Sequence, residues 1–391
     1  MMEFIFFTSA ALVAYMFVGY PIVLKILQLL KKKAPEKPAA VSELLDPSVS
    51  IVIAAHNEEA NIVAKIENLL AQTFPITNMQ IIVGSDGSTD GTVKLLEQCR
   101  ERAAGLGVEV EVLAFSDRRG KPSILNRAVQ LCKHEIIVFA DVRQTFADNA
   151  IENLIKRFVD PMVGAVSGEL FLREPTDTST VAEAGAYWRY EKLVRKREAK
   201  FHSTIGATGA IYAIRKSLYR EIPERTLIDD VVIPMQICMQ GYRVQFANDA
   251  HAFDIAPTDS NREWFRKVRT LAGNWQMMSI RPEFFNPFKN PVWLQFMSHK
   301  IMRLCLPFCL TLILLASYAS QGSFFATAFT LQCLVYGIGV VSFFSENVRQ
   351  LRLPGLIYFV CLLNAAIIVS FYRLATGQKE GLWTFAYKSR P

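Results

Sequence analysis

Paired metal-ligand spacing is missing from this sequence: its seven cysteines form no CxxC. Its five histidines, His56, His134, His202, His251 and His299, stand too far apart in sequence to read as a ligand set. The odd cysteine count, with Cys305, Cys309, Cys333 and Cys361 all in strongly apolar stretches, argues against a disulfide framework and sets the polar part in a reducing compartment. Internal repeats and low-complexity segments are absent too, which removes solenoids and disordered linkers. Charge is scarce, at 20% against 51% hydrophobic residues, so the chain is no disordered polymer, and 391 residues exceed one ordinary domain. Lys and Arg number 43 against 36 Asp and Glu, a net +7 too diffuse to indicate a nucleic-acid partner but suited to a phosphate or a lipid headgroup.

Long apolar runs are present at both ends. Residues 4–30 are apolar except for Lys25, and about 20 such residues suffice to cross a hydrocarbon core as a helix. Lys31, Lys32 and Lys33 follow the run rather than precede it, so it reads as a spanning helix with its N-terminus outside, not as a signal peptide. Residues 286–300 mix prolines, aromatics and few charges, as an interfacial segment does. Residues 301–375 then read as about three spans, and residues 376–391 as a tail. Four spans would leave the tail outside, against the preference of Arg373, Lys379, Lys388 and Arg390 for the cytoplasm; an interfacial or re-entrant segment among the last three would reconcile the two. The chain is expected to be a multi-pass protein of the cell membrane in contact with its lipids, with the polar middle in the cytoplasm.

That middle, residues 45–285, alternates strand and helix signals in the order of an α/β fold. Apolar runs at 49–55, 80–84, 108–115 and 135–139 read as strands, the first two followed by amphipathic helices. Ligands of an open parallel sheet collect beyond the carboxyl ends of its strands, so Glu58, Asp86 and Asp141 are expected to converge on one crevice.

Asp86, just past its strand and before Gly87, can offer a carboxylate to a base or sugar edge, or cap the next helix as Ser88 and Asp90 also can. Asp141 ends an apolar strand, where an acid faces a site more readily than a core, and could hold a divalent cation. Lys121 follows Gly120 at the start of a helix, a place that favours anions; the alternative is a solvated basic loop. Asp229 and Asp230 stand among apolar residues, where crowding would raise a carboxyl toward the pKa of a general base; the alternative is an N-cap pair. Arg262, Arg266 and Arg269 share one helical face able to clamp a diphosphate or rest on anionic lipid. The basic run from Arg189 to Lys200 reads as a solvated or lipid-facing helix surface.

Seven segments in order then resemble the membrane-bound family 2 glycosyltransferases, the group of hyaluronan, cellulose and poly-N-acetylglucosamine synthases. They are Ser50 to Glu59, Ser85 to Asp90, Gly120 to Asn126, Ala140-Asp141, Thr208-Gly209-Ala210, Asp229-Asp230 and Arg266 to Arg269. The resemblance implies a GT-A (Rossmann-like) nucleotide-sugar domain inserted between transmembrane helices. It also implies a nucleoside-diphosphate sugar donor, most readily UDP-linked, and transfer with inversion to a glycan or lipid-linked acceptor in polysaccharide or glycoconjugate synthesis. Carried over by position, Glu58, Asp86, Lys121, Asp141, Arg143, Arg266 and Arg269 would bind the donor, and Asp141 a Mg2+ or Mn2+ ion. Thr208, Gly209, Ala210 and Asp229 would border the acceptor, and Asp230 would be the base.

Two departures from the family pattern stand out. Asp-x-Asp becomes Asp141-Val142-Arg143, so Arg143 either supplies part of the metal's charge or leaves Asp141 to hold it with the phosphates. Gln-x-x-Arg-Trp becomes Arg266-Lys267-Val268-Arg269-Thr270, which loses the aromatic a growing glycan stacks on unless Trp264 or Trp275 replaces it. The alternative within the class adds one sugar to a lipid-linked acceptor. A transporter with a nucleotide-sugar sensor is disfavoured, because the last three spans carry only Arg303, near an edge.

Overall fold

A computed structural model of the chain describes residues 1–30, 47–173, 180–255 and 260–377. Lys31 to Lys33, and Lys379, Lys388 and Arg390 of the tail, lie outside the described residues. The first strand, β1 (Val49–Ala55), is buried along nearly its whole length, as a central strand covered on both faces must be. Its one hydroxyl, Ser50 Oγ, donates to Gln80 Oε1 at 2.8 Å, so no polar group is stranded there.

Helix α2 (Ile62–Leu70) leads to β2 (Met79–Asp86), α3 (Thr92–Ala104) to β3 (Glu109–Phe115), and α4 (Lys121–Leu131) to β4 (Ile136–Ala140). Then come β5 (Thr145–Phe146), α5 (Ala150–Ile155), β6 (Val163–Arg173), the long α6 (Thr180–Phe201), β7 (Ile211–Arg215), α7 (Asp229–Met239), β8 (Arg243–Ile255) and α8 (Ser260–Ile280). The strands form one sheet in the order β3-β2-β1-β4-β7-β6-β8-β5. The first four are parallel, and β7 enters antiparallel beside β4. The α/β class is as expected, with one shift: β2 runs on through Asp86, because its pairing with β3 continues to Asp86 opposite Phe115. Gly84 lets α4 lie tight on the sheet, since a Cβ there would stand 2.1 Å from the Ile124 side chain.

Among the described residues four helices are long and apolar enough to cross a membrane: α1 (Met2–Leu30), α9 (Trp293–Ala319), α10 (Ser323–Phe344) and α11 (Arg352–Ala375). Their outer faces carry exposed Phe, Leu, Val and Ile such as Phe4, Leu334, Phe344 and Ile368. Helix α9 begins inside the segment 286–300 read as interfacial. The reason is that Val292 and Phe296 have an apolar alternative to lipid: both are fully buried in the core that covers one face of the sheet. That core is continuous from Val52 and Ile82 through Ile228 to Phe296, Leu304 and Ile367.

Polar side chains join α1, α6 and α9 where these helices meet. Tyr20 Oη donates to Glu198 Oε1 at 2.6 Å, and His299 lies between Glu198 (2.8 Å from Nδ1) and Glu191 (2.8 Å from Nε2). Arg303 pairs with the other oxygen of Glu191. Helices α1 and α9 both have a π-helical turn there, at Tyr15–Gly19 and Phe296–Ile301, and Tyr15 Oη and Ser298 Oγ of these turns lie 2.8 Å apart. Burial would push Glu191 up, but the charges and hydrogen bonds of His299 and Arg303 outweigh it and hold its carboxyl well below the usual value.

Candidate functional site

The turn after β1 is drawn against the turn after β2. Asn57 sits at φ 52°, a left-handed conformation that Asn tolerates, and its Oδ1 accepts from Thr89 N at 2.8 Å. Glu59 Oε2 accepts from Gly91 N at 2.7 Å, and Glu58 N donates to Thr92 Oγ1 at 2.8 Å. Much of Ser85 to Asp90 is thus occupied in holding two loops together. Asp86 is buried, and its Oδ1 accepts from the backbone of Arg119 (2.6 Å) and Gly120 (3.0 Å). This acid clamps the loop that leads to Lys121, and what it can offer a ligand is its remaining lone pairs.

Lys121, the first residue of α4, bridges two acids. Its Nζ lies 2.9 Å from Asp141 Oδ1 and 3.4 Å from Asp229 Oδ2. Side-chain exposure grades from 8% at Asp229 through 17% at Lys121 to 39% at Asp141, so the bridge opens toward solvent at Asp141. Beside it Arg143 Nε donates to Glu58 Oε1 at 2.7 Å, while Asn61 Nδ2 donates to Oε2 at 2.8 Å. The Arg143 side chain is half exposed.

Asp230 is the second residue of α7 and is only partly accessible. Burial and then the neighbouring Asp229 push its carboxyl above the ordinary value, while Lys121, Lys300 and Arg269 pull it down. Its backbone carbonyl accepts from Ala207 N at 2.7 Å, which brings the 206–210 loop alongside. A Cβ on Gly209 would stand 3.1 Å from Asp230 Oδ2, so this glycine keeps the approach to the carboxylate open. Thr208 points its hydroxyl away, donating to Gly168 O at 2.8 Å, and Ala210 is buried.

The structure therefore gathers Lys121, Asp141, Asp229, Asp230, Gly209 and Arg269, with Glu58 and Arg143 as an adjoining pair. Arg266 is not brought in: it is exposed, and its carbonyl accepts from Thr270 Oγ1 at 3.0 Å. The side chain of Arg262 lies outside the described residues. Asp229 and Asp230 are not N-caps, since Ile228 occupies that position. The basic run of α6 does not all face solvent or lipid: Lys192 pairs with Glu169 at 2.6 Å, and Arg195 Nη1 donates to Thr208 Oγ1 at 3.2 Å.

Two groups escaped the sequence reading. Tyr212 lies fully buried under the site, stacked on Phe139 at 4.7 Å, and its hydroxyl has no hydrogen-bond partner among the described residues. Lys65 is buried behind Asp141, with Nζ donating to Gln144 O at 2.8 Å and standing 3.7 Å from the centre of the Phe146 ring. Burial lowers its pKa to about 7, against a pull from Asp141. Its helical spacing with Ile62, Ile66 and Leu69 was the available signal, since a lysine beside that apolar stripe has to be paid for by a partner.

Among the described residues no group of three or more His, Cys, Asp or Glu could hold a metal. A divalent cation would find one carboxylate, Asp141, whose Oδ1 is shared with Lys121, and would need phosphate oxygens to complete its shell.

Residues 50–223 match the family described as Glycosyl transferase family 2. The poly-beta-1,6-N-acetyl-D-glucosamine synthase of Staphylococcus aureus (strain COL) is 21% identical over 245 residues, which cover 62% of this chain and 57% of that protein. The probable glycosyltransferase YdaM of Bacillus subtilis (strain 168) is 23% identical over 256 residues, 61% of this chain and 58% of that protein. The chain spans less than two thirds of the length of either relative. Among solved structures, the mannosyltransferase PcManGT from Pyrobaculum calidifontis, in complex with GDP-Man and Mn2+, superimposes with a TM-score of 0.71 at 21% identity, over 96% of this chain and 99% of that one. At this identity the likeness speaks to the fold, which is GT-A with apolar helices on both sides.

Proposed function

We propose that the family 2 glycosyltransferase domain carried by this chain moves a sugar from a nucleoside-diphosphate donor, UDP-linked in the first instance, to an acceptor hydroxyl with inversion. The single observation that carries this reading is Asp230, a carboxyl raised by burial, beside the gap left by Gly209 and close to the Lys121–Asp141 pair. A single displacement asks for one base on the acceptor and positive charge on the departing diphosphate. Asp230 takes the acceptor proton. Lys121, Arg143 and Arg269 stabilise the diphosphate, and Glu58 and Asp86 border the nucleoside. Thr208, Gly209, Ala210 and Asp229 wall the acceptor side.

Asp141 would hold a Mg2+ or Mn2+ together with donor phosphates, a reading supported by the Mn2+ in the mannosyltransferase complex. Bound there, the ion adds positive charge where the diphosphate departs. Arg143→Ala is expected to make activity depend more steeply on added Mn2+, because it removes fixed charge beside Asp141. A metal titration with unchanged activity and unchanged dependence would remove Arg143 from that role.

The site faces the cytoplasm, and the product is a polysaccharide or a glycoconjugate. One observation favours the second of these, a single addition to a lipid-linked acceptor. Trp275 is tilted against Phe371 of α11 at 5.1 Å, and Trp264 packs with Val268, Ala272 and Ala366, so both are committed to packing rather than offered to a glycan. The test is a donor screen on the full chain in nanodiscs, with UDP-sugars and GDP-mannose, following nucleoside-diphosphate release and sizing the product. A long glycan would favour a synthase and one added sugar the lipid-linked reading. Absence of binding to every donor would overturn the proposal.

A further inference from the structure

One face of α2 carries a row of polar side chains: Asn61, Lys65, Asn68 and Gln72 recur at the i, i+4, i+7 and i+11 spacing of a single helical face. Asn61 Nδ2 donates to Glu58 Oε2 at 2.8 Å, and the other three reach the segment that follows β4. Gln72 Nε2 donates to Ala147 O at 3.0 Å, while Asn68 exchanges two bonds with Phe146, donating to its carbonyl at 3.0 Å and accepting from its amide at 2.7 Å. Lys65 Nζ donates to Gln144 O at 2.8 Å, the carbonyl that ends the turn carrying Asp141 and Arg143. Among the described residues no other side chain bonds a backbone group of residues 141–144. The far side of the segment is fixed independently, by Gln144 Nε2 donating to Asp254 Oδ2 at 2.7 Å and by the pairing of Thr145 with Phe253 of β8. Neutral amides thus hold the rungs at Phe146 and Ala147, and only the rung at the turn is charged. Lys65 is 2% exposed, with Nζ 3.7 Å from the centre of the Phe146 ring; among the described residues it has no carboxylate within ion-pair distance, and Asp141 Oδ1 lies against Lys121 instead. A buried ammonium without a carboxylate is costly, and an amide could supply a bond to a carbonyl, as Asn68 does one turn further on.

We propose that Lys65 is a positioning residue for the donor diphosphate: through Gln144 it fixes the turn that carries Asp141 and Arg143, and its ammonium sets a fixed positive charge behind that turn. The inference rests on the function proposed above, in which Asp141 and Arg143 meet the diphosphate. Lys65 itself touches no substrate, because the Phe146 ring and the turn enclose it. What it contributes is preorganisation. A turn already held need not be ordered when the diphosphate arrives, and a charge kept out of water acts on that anion more strongly than a solvated one. Glu58 keeps its bond from Asn61, and Asp86 its bonds from the amides of Arg119 and Gly120, without any help from Lys65. The effect should therefore fall on the diphosphate and spare the nucleoside.

The experiment measures the affinities of UDP, UMP, GDP and GMP for the full chain in nanodiscs with Mn2+, together with thermal unfolding. Wild type is expected to prefer one nucleoside diphosphate to its monophosphate. Lys65→Met should lower the affinity for that diphosphate by about ten-fold or more, the worth of a charge-assisted hydrogen bond, while monophosphate affinity and the unfolding midpoint stay close to wild type. Lys65→Arg, which keeps a charged donor, should retain most of the preference. Asn68→Ala is the control on the same helical face: it should lower the unfolding midpoint and leave the preference intact. Should Lys65→Met not fold, the same comparison is read on Lys65→Gln; failure of both to fold would assign Lys65 to the fold alone and overturn the inference. An unchanged preference in a folded Lys65 variant would overturn it too, as would an equal loss of affinity for monophosphate and diphosphate. A wild type that binds none of the four nucleotides would overturn the donor reading and this inference with it, whereas a wild type that binds them and a Lys65→Met that binds them as well would overturn this inference alone.

Discussion

Asp230→Asn is expected to lower the rate of sugar transfer by about 10²–10⁴-fold, the range that a positioned base contributes, while nucleoside-diphosphate binding stays close to wild type. The side chain keeps its shape, so Gly209 still faces it across the same gap and Ala207 still donates to the Asp230 carbonyl. What disappears is the capacity to accept a proton. The pH dependence gives an independent check. Burial and Asp229 raise the Asp230 carboxyl above the ordinary carboxylate value, and only its ionised form can act as the base. Activity should therefore fall on the acid side at a pH above that ordinary value. An active Asp230→Asn enzyme with an unchanged acid limb would end the assignment.

Glu198→Ala is expected to be the most damaging change outside the site, costing about 3–5 kcal/mol, because it removes one member of a buried charged network. Glu198 is fully buried, and its Oε1 serves both Tyr20 of α1 and His299 of α9. Alanine leaves both without their acceptor in a place water does not reach. Thermal unfolding of the full chain in detergent reads this loss, with the exposed Glu224→Ala as control. Glu191, in the same network, has its pKa held below the unfolded value, so its stabilisation is complete above the ordinary carboxylate range and fades as pH falls through its depressed pKa. The gap between wild type and Glu198→Ala should thus be present at neutral pH. An unchanged midpoint there would mean the helices are held by packing alone.

The fold was legible because its signals are local. The β-branched runs at Val49–Ala55 and Ile136–Ala140, each followed by an acid or a turn, announce a parallel sheet with ligand-binding ends, and the apolar runs at both termini announce the helices. The gathering of Lys121, Asp141 and Asp229 was legible in part, since strand ends and helix starts converge in this topology. Asp86 was harder: its carboxylate accepts from the amides of Arg119 and Gly120, a partnership 33 and 34 residues away that no local pattern encodes. The α6 run was misread for a related reason. Spacing identifies a basic helix, but which cations turn inward depends on Glu169 and Thr208, supplied by other elements. His299 carried no motif at all. Its role arises from Glu191 and Glu198, two turns apart on α6, meeting His299 and Arg303, one turn apart on α9.

One apolar core runs without a break from Val52 and Ile82 in the sheet to Phe296, Leu304 and Ile367 in the membrane helices. During synthesis the strands emerge before the last three apolar helices, so the face they present has no complete cover until Ile367 has been made. Ile367 is the last of these residues, and it arrives well after every catalytic candidate. The nascent sheet must wait, one face partly bare, while the helices are inserted beside it. The domain and the apolar helices are separable in the sequence but share one core, which is complete only once α11 is present.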